Sequence, residues 1–210
     1  MSEMEVQSMV LGMVGTNVYL VKNKENGELL VIDPADSPDR ICQKIGGMAG
    51  KPTAILLTHG HFDHIGACEA LRKKYGIAVY AEEHEREVLE DPSKNLSASW
   101  ASGITAEADH YVKDGDILQL AGFEIHVYHT PGHTVGSCCY YFPEEKALFS
   151  GDTLFCESYG RTDFPTGSGR AMEDSIHRLL KDIPADTAVY TGHEMFTTIA
   201  RERKYNPLAR

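Results

Sequence analysis

Apolar positions in this chain recur in two rhythms, alternation over short runs and a three-to-four spacing over longer ones, which predicts a mixed α/β fold. The N-terminal part reads as three strands, Met4–Leu11, 17–22 and Glu28–Ile32. They are separated by 12–16 and by the Asn26-Gly27 turn, a combination that favours antiparallel hairpins and predicts a meander. Ser37-Pro38 supplies an N-cap and a proline at the first helical position, starting a helix that stops at Gly46-Gly47. The apolar run 54–57, bounded by Pro52 and Gly60, is too short for a helix of its own and reads as a buried strand. Beyond it Ile65, Cys68, Leu71 and Tyr75 fall at helical spacing up to Gly76. A strand at 77–80 and a charged helix at 82–90, ended by Asp91-Pro92, follow.

Residues 93–109 are small, polar and weakly patterned, yet hold the only tryptophan, Trp100. A loop of this length inside a compact domain is usually functional, and it is read here as a wall or lid of a site. Alternation then resumes with strands at 111–112, Ile117–Leu120 and 123–130, punctuated by Asp114-Gly115 and Ala121-Gly122. Strands at 137–142 and 147–149 are linked by Pro143-Glu144-Glu145. A helix with Met172, Ile176, Leu179 and Leu180 on one face, a last strand at 187–190 and a closing segment at 197–205 complete the chain.

Candidate chemistry gathers where these strands end. The run 54–57 delivers His59, His61, Asp63 and His64 within six residues of Thr58. Imidazole and carboxylate suit zinc, iron or manganese, and crowding them is costly unless a cation compensates. The spacing argues for two metals, because residues on an extended turn alternate sides while Asp63 and His64 begin the next element. His133 follows a strand and a Pro-Gly turn, His193 follows a strand and a glycine, and Asp152 follows a strand and Gly151, placed to bridge two cations. Four strand ends thus converge in the way α/β sheets expose ligands. The other histidines read differently: His84 on a solvated helix face, His126 and His129 as packing residues, His177 as exposed. Asp33 is either a plain turn carboxylate or a support that orients a ligand. Arg161 either braces its GRTD turn through a bidentate pair or faces an anionic substrate.

Composition narrows the classes. With 210 residues and 42% hydrophobic positions, the chain can bury a sizeable core as one domain spanning 1–210. A formal charge of -11 works against nucleic-acid binding, which needs clustered Lys and Arg. Five cysteines without a C-x-x-C pair indicate neither a disulfide framework nor a zinc ribbon and fit a reducing compartment. The acidic N-terminal stretch lacks a basic leader and no apolar run reaches spanning length, so the expectation is a cytoplasmic protein with no membrane partner.

TNVYLV, VIDP, LLTHGHFDHIGA, HTPGHTVGS, LFSGDTLF, GRTDF, TGH and the closing Asn206-Pro207 together resemble the metallo-β-lactamase fold hydrolases, specifically the short glyoxalase II-like (hydroxyacylglutathione hydrolase-like) branch. The resemblance covers nearly the whole chain. It implies a four-layer αββα sandwich with mixed sheets and a dinuclear centre: one metal on His59, His61 and His133, the other on Asp63, His64 and His193, with Asp152 bridging. Two divalent ions are implied, zinc first, iron or manganese as alternatives. The implied activity is cleavage of a small-molecule thioester of the S-lactoylglutathione type by a metal-bound hydroxide that Asp63 orients. Thr191 and Glu194 depart from the family's commoner PGHG, a change in loop shape only. Longer glyoxalase II enzymes add a helical domain that helps bind glutathione, and a chain ending at Arg210 leaves the thiol carrier open. Diiron oxygen-reducing relatives carry Glu where this chain has His61, and many true β-lactamases replace the bridging Asp; neither pattern matches, and the acidic charge speaks against the fold's nucleases. Two other readings stand beside the hydrolase: a persulfide dioxygenase holding one iron on His59, His133 and Asp152, and a metal-binding scaffold without activity.

Overall fold

The computed structural model describes residues 3–209. Strands β1 (Met4–Leu11), β2 (Thr16–Asn23) and β3 (Glu28–Ile32) form the antiparallel meander. Helix α1 (Pro38–Gly47) returns the chain so that β4 (Lys51–Leu56) adds parallel to β3. Ser37 caps α1 by position alone: it sits at φ 51° and its hydroxyl bonds to Asp36 instead of to the helix. Pro52 lies inside β4 and does not bound it. It pairs with Leu29 where the register shifts, and such an irregularity is where a strand tolerates a residue without an N–H.

After β4 come α2 (Phe62–Ile65), α3 (Cys68–Tyr75), β5 (Ala78–Glu82), a 3-10 turn (Glu83–Glu85), α4 (Arg86–Glu90), α5 (Ser97–Trp100) and β6 (His110–Val112). The single helix expected through Ile65 and Tyr75 is broken at Gly66-Ala67. The chain there is pinned to the turn after β3, since Ala67 N–H donates to the Pro34 carbonyl and a Cβ on Gly66 would stand 2.1 Å from the Ala35 carbonyl oxygen. The charged segment 82–90 is also less solvated than its composition predicts. Glu82 and Glu85 are buried, while His84 does face solvent.

The second half contributes β7 (Ile117–Leu120), β8 (Phe123–His129), β9 (Cys138–Phe142), β10 (Ala147–Gly151), a ribbon of β11 (Leu154–Phe155) and β12 (Ser158–Tyr159), α6 (Gly169–Asp182), β13 (Ala188–Thr191), β14 (Thr197–Thr198) and α7 (Ile199–Tyr205). Two six-stranded mixed sheets result, β1-β2-β3-β4-β5-β6 and β14-β13-β10-β9-β8-β7. His126 is partly exposed on β8 because its alternation turns Phe123, Ile125 and Val127 inward instead, while His129, in their phase but at the end of the strand, is partly exposed and stacks on His84 at 5.0 Å; neither is a core packing residue.

Three apolar cores define the layers. The first joins α1 and α3, through Ile41, Ile45 and Leu71, to the outer face of the first sheet. The second fills the space between the sheets, where Tyr19, Phe123, Phe142 and Phe149 are buried and meet edge to face at centroid distances of 5.2 to 5.5 Å. The third packs α6 and Ile199 of α7 on the outer face of the second sheet. Strand β2 serves two cores by alternation, with Val18 and Leu20 in the first and Tyr19 and Val21 in the second. The architecture is therefore the αββα sandwich. At one edge β4, β8, β10 and β13 all end, and the sheets are fastened there: Cys138 N–H donates to the Thr58 carbonyl at 2.8 Å and the Tyr140 hydroxyl to the Leu57 carbonyl at 3.0 Å. No helix among the described residues is long and apolar enough to cross a membrane.

Candidate metal centre

The strand-end residues named from the sequence meet at that edge. His59, His61 and His133 form one group and Asp63, His64 and His193 another, with the ligand atoms of each group within 4.8 Å of one another. His59 and His61, two residues apart on the extended turn, share one side, and α2, beginning at Phe62, carries Asp63 and His64 away to the second group. Asp152 lies between them, with Oδ2 3.4 Å from Nε2 of both His133 and His193 and Oδ1 3.4 Å from Nε2 of His64. Its place depends on Gly192, where a Cβ would stand 2.0 Å from Asp152 Oδ1.

Hydrogen bonds behind the ligands set which ring nitrogen faces the centre. Asp33 accepts from Thr58 N at 2.8 Å and from Thr58 Oγ1 at 2.6 Å. That hydroxyl has spent its one proton, so at 3.2 Å it accepts from His59 Nδ1 and leaves Nε2 of His59 bare. Asp33 also accepts from His64 Nδ1 at 3.0 Å, which turns Nε2 of His64 inward. One carboxylate thus orients a histidine of each group, the supporting role and not a plain turn. His133 donates from Nδ1 to the Arg161 carbonyl at 2.7 Å and keeps Nε2 for the centre. Arg161 therefore serves through its backbone. Its side chain pairs bidentately with Asp163 at 2.7 and 2.6 Å and lies 3.9 Å over the Phe164 ring.

The electrostatics are those of a cation site. Burial, then His64 and His133, hold the His59 imidazole well below its ordinary range, and burial with His133 lowers His61 to about 3. Burial opposes ionisation of Asp63, but His64 and His193 outweigh it and bring the carboxyl to about 2. Asp152 is likewise held well below the usual range, its burial overcome by His64 and His193. His64 is pushed up to about 9 and His193 to about 11, since Asp63 and Asp152 outweigh burial at both. Protons on these two histidines compensate the carboxylates as cations would. His59 Nε2, His61 Nε2 and Asp152 Oδ1 are buried without a hydrogen-bond partner. Each such orphan costs roughly 1–3 kcal/mol, and since His61 meets His133 Nε2 through Nδ1 at 2.8 Å, it is the bare Nε2 of His59 and Oδ1 of Asp152 that fit a metal centre.

Three supporting residues escape the sequence reading. Thr16 Oγ1 donates to Asp63 Oδ2 at 2.8 Å, and Asn17 donates to the carbonyls of Thr191 and Glu194 at 3.0 and 3.1 Å, holding the loop of His193. Glu85, fully buried, accepts from Gly60 N at 2.7 Å and from Thr134 Oγ1 and Gly136 N at 2.8 Å, clamping the loop of His59 and His61 to that of His133. Burial raises its carboxyl to about 7 although all three bonds pull it down. The available signal was phase, since Glu85 shares a helical stripe with Val88 and Leu89. Glu85→Gln turns one acceptor oxygen into an amide donor that faces donors. The expected result is a loss of about 1–3 kcal/mol in urea denaturation and about 10- to 100-fold weaker metal binding in competition with a chromophoric chelator. Unchanged values in both measurements would refute the clamp.

A cavity of about 370 Å³ opens beside the centre, with His61, Asp63, His133, Asp152 and His193 on its floor. Leu96 and Trp100 line it, so the weakly patterned segment after Asp91-Pro92 does form a wall.

The pattern of the metallo-beta-lactamase superfamily matches residues 11–193. The hydroxyacylglutathione hydrolase GloC of Haemophilus influenzae is 33% identical over 180 residues, 84% of this chain and 85% of that protein. The crystal structure of the BLEG-1 B3 metallo-beta-lactamase superposes with a TM-score of 0.92 at 39% identity, covering 98% of this chain and 99% of the other. The di-iron-bound form of TTHA1623 superposes with a TM-score of 0.85 at 34% identity, covering 96% and 98%. A chain that matches the family pattern through Leu11–His193, folds as its solved relatives do and gathers seven His and Asp residues at one sheet edge belongs to the metallo-beta-lactamase superfamily.

Proposed function

We propose that this metal-dependent hydrolase cleaves a thioester of a low-molecular-weight thiol, in the manner of the glyoxalase II-like branch, with two divalent ions held by His59, His61 and His133 and by Asp63, His64 and His193, and Asp152 shared between them. One observation carries the reading: the second group, Asp63, His64 and His193, stands complete beside the first. The 33% identity to a hydroxyacylglutathione hydrolase supports the thioester, and the likeness to a di-iron-bound structure supports two ions, with zinc, iron and manganese all suited to the donors. Ions bound there supply Lewis acidity and a water acidified to about pH 7.

The remaining work falls to the chain. Thr16 fixes Asp63 Oδ2, so this ionised carboxylate accepts a hydrogen bond from the attacking water and sets its approach to the carbonyl. The cavity walls hold the thioester over the floor and keep bulk water out. A leaving thiolate with a pKa near 8.5 departs without a strong general acid. No cysteine competes as nucleophile: burial pushes Cys68 up to about 12, Cys139 to about 11 and Cys138 well above its ordinary range, while Cys42 and Cys156 are not among the residues that line the cavity.

The test is release of thiol from S-lactoylglutathione and from simple acyl thioesters by metal-loaded protein, followed with a thiol-reactive dye. Turnover without a trappable acyl-enzyme is expected. Sulfite formed from a persulfide with consumption of oxygen, and no thioester cleavage, would replace this reading with the dioxygenase that uses His59, His133 and Asp152.

A further inference from the structure

The floor of the cavity is polar, but its walls are not. Phe62, Leu96, Trp100, Val14, Phe155 and Phe164 surround the candidate ligands. Phe164 meets His61 edge to face at 5.8 Å and Phe155 meets His193 at 6.1 Å, so apolar surface begins directly beside each group. Trp100 is 55% exposed and Val14 45% exposed, from α5 and from the turn between β1 and β2. Large apolar side chains left in water around a cavity that contains polar chemistry mark a surface that a ligand covers.

The charge pattern of the wall gives an anionic carrier little to hold. Arg161 is the only Lys or Arg among the described residues lining the cavity, and the Nε and Nη2 edge of its guanidinium is engaged by Asp163. The chain as a whole carries -11. The carboxylates of an anionic thiol carrier therefore meet at the wall only a guanidinium already paired with Asp163, while at the floor the charge of Asp63 and Asp152 is offset by the ions of the proposed centre.

We propose that the preferred substrate presents an apolar acyl chain to this cavity on an uncharged or weakly charged thiol, and that Trp100 with Val14 forms the surface that reads the chain. This rests on the thioesterase reading and deepens it. Burying one methylene contributes about 0.8 kcal/mol, which is roughly fourfold in kcat/KM at 1.4 kcal/mol per tenfold.

Metal-loaded protein would be assayed on straight-chain acyl thioesters of two to six carbons, on an uncharged carrier and on glutathione. The expected result is a rise of about fourfold in kcat/KM per methylene on the uncharged carrier, with glutathione bringing no gain. Trp100→Ala and Val14→Ser, both at exposed positions, would each flatten that rise. Cleavage that ignores chain length, or that favours glutathione at every length, would overturn the proposal while leaving the thioesterase reading in place. Should no thioester be cleaved, titration with n-alkanethiols read by the fluorescence of Trp100, the single tryptophan, separates the two questions. Affinity rising with alkyl length would uphold the apolar site and reject the thioesterase; no dependence on length would reject both.

Discussion

Asp152→Ala is expected to lower kcat on a thioester by about 10³-fold or more. Asp152 touches both candidate groups, lying 3.4 Å from His64, His133 and His193. Without it each metal of the proposed centre would lose a ligand, and the buried His64 and half-buried His193 would lose one of the carboxylates that compensate them. Metal assistance supplies several kcal/mol of transition-state stabilisation, and about 4 kcal/mol at 1.36 kcal/mol per decade gives the stated factor. Gly192 leaves room for the carboxylate but does not lean on it for packing, so the variant should fold and can be assayed directly. A loss under tenfold, with metal content unchanged, would mean that Asp152 bridges nothing of consequence.

Chelation is the second large effect. Activity should vanish when metal is stripped and return when zinc, iron or manganese is restored, since no buried cysteine is ionised to take over as nucleophile. The fold itself should survive, because three separate apolar cores hold the layers. A ligand at 100 times its dissociation constant contributes about 2.7 kcal/mol, and a domain of this size shifts about 2–4 °C per kcal/mol, so each metal lost should lower Tm by roughly 5–10 °C. Full activity in the presence of excess chelator, with metal shown to be absent, would contradict the account.

How much of this was legible in the residues depends on how local each feature is. His59, His61, His133, Asp152 and His193 stand out because a ligand must be one of few residue types and must follow a strand directly, a pattern confined to a few neighbouring positions. The layers were legible for a similar reason, since strands such as β2 and β8 declare their inner faces by alternation. Features set by distant contacts were not. Gly66 breaks a helix that its own neighbours favour because the chain at Ala35 lies against it. Glu85 looks like one more charge on a solvated helix, and its burial follows from donors 25, 49 and 51 residues away. Thr16, 47 residues from Asp63, was hidden in the same way. Arg161 could be placed in the site but not assigned its contribution, because a backbone carbonyl leaves no mark on side-chain chemistry.

The central claim is a two-metal centre, and counting metal tests it most directly. Elemental analysis of protein loaded and then desalted should find two metals per chain, and His193→Ala should find one, because that change removes a donor that lies 3.3 Å from Asp63 and belongs to the second group alone. A count of one in both proteins, with turnover unaffected by His193→Ala, would show that Asp63, His64 and His193 hold no metal and that the account built on them is wrong.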